Sequence, residues 1–339
     1  MGILASLSVS SATPRLAYLD GWRGLAILFV LQSHFLPSST FETGQLGVDI
    51  FFSLSGLLMS RVLFVERQAL SVFYRRRIAR VVPTFLLFVA LVYGAAAFTG
   101  AHWNWGELVA TLLFVRTYLP SDPDIWHTGL PIGHLWSLNV EEQGYMFFSF
   151  LRLPSWLRGR EAWLLSFVAA LTMWMFYHFT HAPQTHSSSF EIRTEVAGSF
   201  LLVSAAYQLL LPNIRPWLHV TPWMPLVALT TASVGYLPNS HWWVGALLSP
   251  LGLAFTVNHL NEGPRWFRNL LACAPLRMLG LWSYSIYLWQ QPFFEHKADM
   301  PTGVACIGAL ATGLTSYYCW ERPWRRKING RDWSPLGGR

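Results

Sequence analysis

The chain of 339 residues is 53% hydrophobic and only 12% charged, against the roughly one quarter charged of soluble domains, so an ordinary soluble globular domain is excluded and a membrane protein is expected. Its formal charge of +7 comes from basic residues dispersed between apolar stretches; without a single basic stripe, nucleic acid is not an expected partner. Many of its eighteen tryptophans, among them Trp103, Trp105, Trp126, Trp242 and Trp243, sit in short polar connections, as in the aromatic belts of a bilayer interface.

The first apolar run follows Arg15, Asp20 and Arg23 and has no small-residue cleavage site after it, so it reads as a retained first span. Crossing about 30 Å of hydrocarbon takes roughly 20 helical residues. Stretches of that kind centre near residues 30, 55, 88, 143, 171, 203, 230, 250, 285 and 310, which predicts an all-α, polytopic transmembrane helical bundle of about ten spanning helices. One more stretch, Glu107 to Leu119, is short and contains Arg116. If it does not cross, all 24 basic residues except Arg116, Arg193 and Lys297 fall on one side, which the positive-inside rule makes cytosolic. It is therefore expected to be re-entrant or peripheral, with both termini cytosolic and the bundle in the cytoplasmic (inner) membrane. No fixed-period repeat or low-complexity linker divides the chain. Residues 1–339 read as a single integral membrane domain, with 1–21 as a cytosolic N-terminus and 320–339 as a basic cytosolic tail.

Ionisable residues inside spans are costly and mark sites or pathways. In the first span Arg23 and His34, eleven residues apart, share nearly one helix face about 16 Å apart along the axis. His34 is either part of a site or a hydrogen-bond partner of a neighbouring helix. In the second span Asp49, Ser53 and Gly56 form one stripe; Asp49 either orients the imidazole, as the third member of a triad does, or caps the helix start. Next come Tyr74, Arg75, Arg76, Arg77 and Arg80, with four arginines in six residues. They suit either positive-inside anchoring or the phosphates of coenzyme A, whose oxygens accept bidentate guanidinium bonds. The fourth expected span opens with His134, Trp136, Ser137, Leu138, Glu141, Glu142 and Gln143. Two adjacent carboxylates entering a membrane helix predict that at least one faces a polar cavity. Cys273, Cys306 and Cys319 lack metal-ligand spacing and read as packing residues, and no metal is expected.

Taken in order, these segments resemble the membrane-bound acyltransferase family 3. The Arg23/His34 pair is similar to its first-span motif, Gly47 to Gly56 to its second-span segment, and Phe73 to Pro83 to its arginine motif. Trp136-Ser137-Leu138 with Glu141-Glu142-Gln143 resembles its Trp-Ser-Leu-x-x-Glu motif, while Leu279 to Trp289 and Glu321-Arg322-Pro323-Trp324 resemble its C-terminal signatures. The resemblance implies an O-acyltransferase that moves an acyl group, acetyl by expectation, from cytosolic acyl-CoA to a hydroxyl of a carbohydrate, lipid-linked saccharide or small-molecule acceptor. On that reading His34 is the base, with Arg23, Asp49 and Glu141 as its catalytic companions. Tyr74, Arg75, Arg76 and Arg77 hold the donor, and Trp136, Ser137, Glu142 and Tyr284 meet the substrate. Two positions depart from the family pattern: Gln290 stands where many relatives carry histidine, and Gly144 where an aromatic is expected. The rival reading is a secondary transporter or flippase using buried Asp49, Glu141 and His34; the lack of half-sequence symmetry and the arginine cluster count against it.

Overall fold

The computed structural model describes residues 17–36, 40–119, 125, 128–181 and 190–330. Trp126, Arg15 and the outer parts of the two expected cytosolic tails, 1–16 and 331–339, lie outside the described residues. The described residues form helices and connections, with no strand among them. In chain order the α-helices are α1 (Ala17–Phe35), α2 (Thr43–Ser60), α3 (Leu70–Thr99), α4 (Trp105–Leu112), α5 (Leu135–Arg152), α6 (Glu161–His181) and α7 (Thr194–Ala197). They continue with α8 (Ser199–Ile214), α9 (Met224–Ser233), α10 (Ser249–Asn258), α11 (Arg265–Leu271), α12 (Ala274–Glu295), α13 (Thr302–Ser316) and α14 (Arg322–Asn329).

Each of the ten expected centres falls within a helix. By length and apolarity, three helical stretches among the described residues suffice to cross a membrane: Thr43–Val65, Leu70–Thr99 and Glu161–Phe179. Ser199–Ile214, Met224–Tyr236 and Val244–Asn258 are shorter apolar helices. Within Glu107–Leu119 the helix stops at Leu112, leaving α4 with eight residues. At 1.5 Å per residue it is about 12 Å long, far short of a crossing. Asn104 caps it by accepting the Glu107 N–H at 2.9 Å. The buried Arg116 that follows turns back to Glu107 at 3.4 Å.

The centre of the bundle is the packing of α1 against α12, with α2 and α8 beside it. Backbones touch where α1 and α12 cross. A Cβ on Gly24 would lie 2.0 Å from the carbonyl oxygen of Leu276, and one on Gly280 would lie 1.8 Å from that of Asp20. Small residues permit this approach where membrane helices must associate without a hydrophobic driving force. Asp20 thus lies beside Gly280, and His34 lies beside Gln290, so α1 and α12 run parallel from an end rich in arginine to an end that carries His34. By contrast α6 turns an apolar face outward, with Trp163, Phe167 and Trp174 exposed, as expected of a helix solvated by lipid. α3 runs on through Pro83, which cannot donate to the preceding turn, and two other elements bond carbonyls beside it. Tyr284 donates to the Val81 carbonyl at 2.9 Å and Trp320 to that of Pro83 at 2.8 Å.

Candidate functional site

At the arginine end α1, α2, α3, α5 and α12 enclose a narrow cleft of about 80 Å³. Arg23, Arg77 and Arg80 line it together with Ser55, Ser137, Glu141, Tyr145, Tyr284 and Tyr287. One guanidinium organises its charge. Arg77 bonds Glu142 through Nε at 2.8 Å and lies 3.1 Å from Glu141, while its plane sits 4.1 Å over the Tyr145 ring. Glu141 also accepts from Ser55 at 2.5 Å and from the Tyr145 hydroxyl. Two neighbouring carboxylates in a low-dielectric bundle need a shared cation and fixed donors, and Arg77 with Ser55 and Tyr145 supplies them. Arg77, expected among the phosphate ligands, is therefore turned inward. Arg75 and Arg76 stay exposed, and Tyr74 is half-buried against Phe73.

His34 occupies the last turn of α1, some 16 Å along the helix axis from Arg23. Its ring stacks on Phe294 with centroids 4.1 Å apart, and its carbonyl accepts from Lys297 at 2.9 Å. Its Nδ1 pairs with Oε1 of Gln290; the Gln290 amide donates to Gln291 Oε1 at 3.3 Å, and Gln291 donates to the Glu295 carboxylate at 3.0 Å. A carboxylate only accepts, so the direction of this chain is set from Glu295 inward: each amide nitrogen points toward Glu295 and each amide oxygen away. Nδ1 then carries the imidazole proton. Nε2, which makes no hydrogen bond among the described residues, keeps the lone pair of a neutral base.

Between the two ends stand Ser137, Tyr287 and His134. Tyr287 meets the Ser137 hydroxyl at 2.5 Å, and the carbonyl of His134 lies 2.7 Å from the same phenol. The His134 side chain is buried between the rings of Phe88 and Tyr287, at 5.5 and 5.2 Å. Neither of its ring nitrogens has a hydrogen-bond partner among the described residues.

Asp49 is not in this line. Its buried carboxylate accepts from Tyr236 at 2.8 Å and from Gln45 at 3.2 Å, so the partner that orients His34 is Gln290. Asp49 instead lines a second cavity of about 430 Å³ near the start of α2, with Glu42, Glu191, Tyr236 and Trp136. Glu142 is committed to Arg77, and the Tyr284 hydroxyl to the Val81 carbonyl. The structure brings together Arg23, Arg80, Ser137 and Glu141 with Ser55, Tyr145 and Tyr287, which sequence reasoning did not single out. Ser55 and Tyr287 lay inside quoted segments without a role, and Tyr145 lay just past one, with its helical spacing from Glu141 as the available signal. Nothing local marked Ser55 as a partner of Glu141, 86 positions away.

A family model described as an acyltransferase domain matches residues 16–295. The chain is 26% identical over 309 residues to the peptidoglycan O-acetyltransferase OatA of Listeria monocytogenes, which covers 81% of this chain and 48% of that protein. The same identity over 305 residues relates it to YrhL of Bacillus subtilis, named as a candidate peptidoglycan O-acetyltransferase, again with 81% of this chain and 48% of the relative covered. A protein of Komagataeibacter xylinus named as a candidate membrane-bound transacylase, BcsY, is 26% identical over 331 residues, covering 90% of this chain and 81% of that one. The chain thus spans about half the length of the first two relatives. No solved structure matches it.

Proposed function

The chain belongs to the acyltransferase family whose domain it matches over residues 16–295, and from that premise we propose that it carries an acyl group, acetyl by preference, from cytosolic acyl-CoA to a hydroxyl of a carbohydrate-type acceptor on the far side of the membrane. In this reading residues 1–339 are one membrane domain of ten crossings, with the arginine end and both termini cytosolic. The bilayer is the cytoplasmic membrane. One observation carries the proposal: polar groups run from the arginine cleft through Ser137 and Tyr287, and one turn beyond Tyr287 on α12 Gln290 holds His34. The O-acetyltransferase names of the relatives agree with it.

The donor set fits acyl-CoA. Exposed Arg75 and Arg76 take its phosphates at the cytosolic mouth through charge-assisted bonds, and Arg23 and Arg80 line the cleft along which an extended pantetheine arm reaches inward. Arg77 is ion-paired with both Glu141 and Glu142 and so ties α3 to α5, which keeps that cleft in shape. At the far end Nε2 of His34 removes the proton from the acceptor hydroxyl, the oxygen attacks the thioester carbonyl, and the carbon–sulfur bond breaks. The thiolate leaves as coenzyme A with the proton that His34 returns. Ser137 and Tyr287, whose hydroxyls bond each other and the His134 carbonyl, line the way between the cleft and His34. The cavity holding Asp49, Glu42, Glu191 and Trp136 offers carboxylates and an aromatic face suited to a sugar, at the same end of the bundle as His34, because α1 ends at Phe35 and α2 begins at Thr43.

The test is free-thiol release from acetyl-CoA by the purified protein with a soluble saccharide acceptor, together with the mass of the product. Release matched by one added acetyl group per saccharide is expected. A transporter or flippase would give neither, and that outcome would end the proposal.

A further inference from the structure

The face of α5 opposite the cleft borders a third cavity, of about 440 Å³, which Val140, Gly144 and Phe147 line together with residues of α6 and α8. Its size falls within the ~300–1,000 Å³ of ligand pockets. Space is available because position 144 has no side chain. A Cβ there would already meet the Leu201 side chain at 3.2 Å. The wall is almost wholly apolar, and the polar side chains along it are bonded to protein. Thr194 donates to Gln143 at 2.6 Å, Gln143 donates to the Phe114 carbonyl at 2.7 Å, Tyr118 pairs with Glu195, and Thr172 donates to the Ala169 carbonyl at 2.8 Å. No polar group at the rim therefore needs a ligand, so recognition there is by hydrocarbon alone.

The cavity is also continuous with the surface that faces lipid. Leu171 of α6 lines it and is 45% exposed, in the same helix as exposed Phe167 and Trp174. A peptide would have to bury unsatisfied backbone groups here, which costs several kcal/mol each; a saturated chain carries none. We infer that this cavity receives one acyl chain of a bilayer phospholipid, which enters beside Leu171 and lies along α5 and α8 against Gly144. This does not depend on the acyl-transfer reading, since neither the arginine cleft nor His34 borders the cavity.

The test uses the full chain reconstituted into phosphatidylcholine vesicles that contain a phospholipid with a diazirine on one acyl chain. After irradiation, labelled peptides are mapped by mass spectrometry. Label is expected on the segments 144–147, 168–175 and 201–202, in addition to the outer face of α6 at Trp163 and Phe167. Gly144→Phe fills the cavity and should remove label from 144–147 and 201–202 while label at Trp163 and Phe167 persists. If that variant fails to fold, Val168→Trp blocks the cavity from the opposite wall and should give the same loss. Label confined to Trp163 and Phe167 in the wild-type protein overturns the inference, as does equal label at 201–202 in wild type and the filled variant.

Discussion

The two ends of the proposed reaction path are built from opposite chemistry. At the arginine end every acidic group in the cleft is matched by a cation, and one guanidinium, Arg77, serves two carboxylates. At the histidine end the imidazole is held by neutral amides, and the only carboxylate of that chain, Glu295, is two amides away and exposed at the helix end. The difference matches the tasks proposed for each end. A polyanionic donor requires fixed positive charge close by, whereas a base has to be oriented by groups that leave its lone pair free. Ion pairs at one end and an amide-held imidazole at the other, with Lys297 on the His34 backbone carbonyl, mark the two ends of a single pair of parallel helices, α1 and α12.

Removing Arg77 should break the comparison most severely. Arg77→Ala leaves Glu141 and Glu142 buried side by side without their cation, and loss of one partner of a buried ion pair costs about 3–5 kcal/mol. A large fall in thermal midpoint, or failure to extract folded protein, is expected. Arg77→Ala with Glu141→Gln and Glu142→Gln together should recover much of that midpoint while leaving donor binding weak. Gln290→Leu strikes the other end, removing the acceptor of the Nδ1 proton. The loss of a hydrogen bond to a buried group is about 1–3 kcal/mol, so turnover should drop some 10- to 100-fold at unchanged acyl-CoA affinity, measured by steady-state kinetics and calorimetry. Arg75→Ala with Arg76→Ala should do the converse, weakening acyl-CoA binding by roughly tenfold or more with little effect on the thermal midpoint, because both side chains are exposed. Asp49→Asn should change turnover least. Its carboxylate serves Tyr236 and Gln45, and an altered neutral bond is worth about 1 kcal/mol. A loss of turnover comparable to that of Gln290→Leu would return Asp49 to the base.

The helices could be read from the chain because hydrophobic runs of span length are a property of local sequence. The shortness of α4 agrees with the expectation that Glu107 to Leu119 does not cross, which came from charge parity because length alone left it open; Arg116 folds back on Glu107. What the sequence leaves open is which polar groups meet across the bundle. Asp49 could be read as orienting His34 or as capping α2, yet Asp49 finds Tyr236, 187 positions on, and His34 finds Gln290, 256 positions on. The arginine cluster was visible as composition, but its division into outward Arg75 and Arg76 and inward Arg77 follows from where the helix phase of α3 meets α5. Gln290 shows the point most clearly. As a departure from the family's histidine it puts a second base there in doubt, and in the fold its amide oxygen pairs with Nδ1 of His34.

The central claim is that donor binding and proton transfer sit at separate ends of the bundle, with His34 as the base. His34→Gln keeps a polar partner for Gln290 but has no lone pair on an imidazole nitrogen, so it separates the two ends in one protein. Turnover and the Kd for acetyl-CoA should be measured on the same purified sample. General-base assistance is worth about 10² to 10⁴ in rate; turnover is therefore expected to fall at least about a hundredfold while Kd and thermal midpoint stay at wild-type values. Near wild-type turnover in that variant, or a parallel loss of acetyl-CoA binding, would contradict the account.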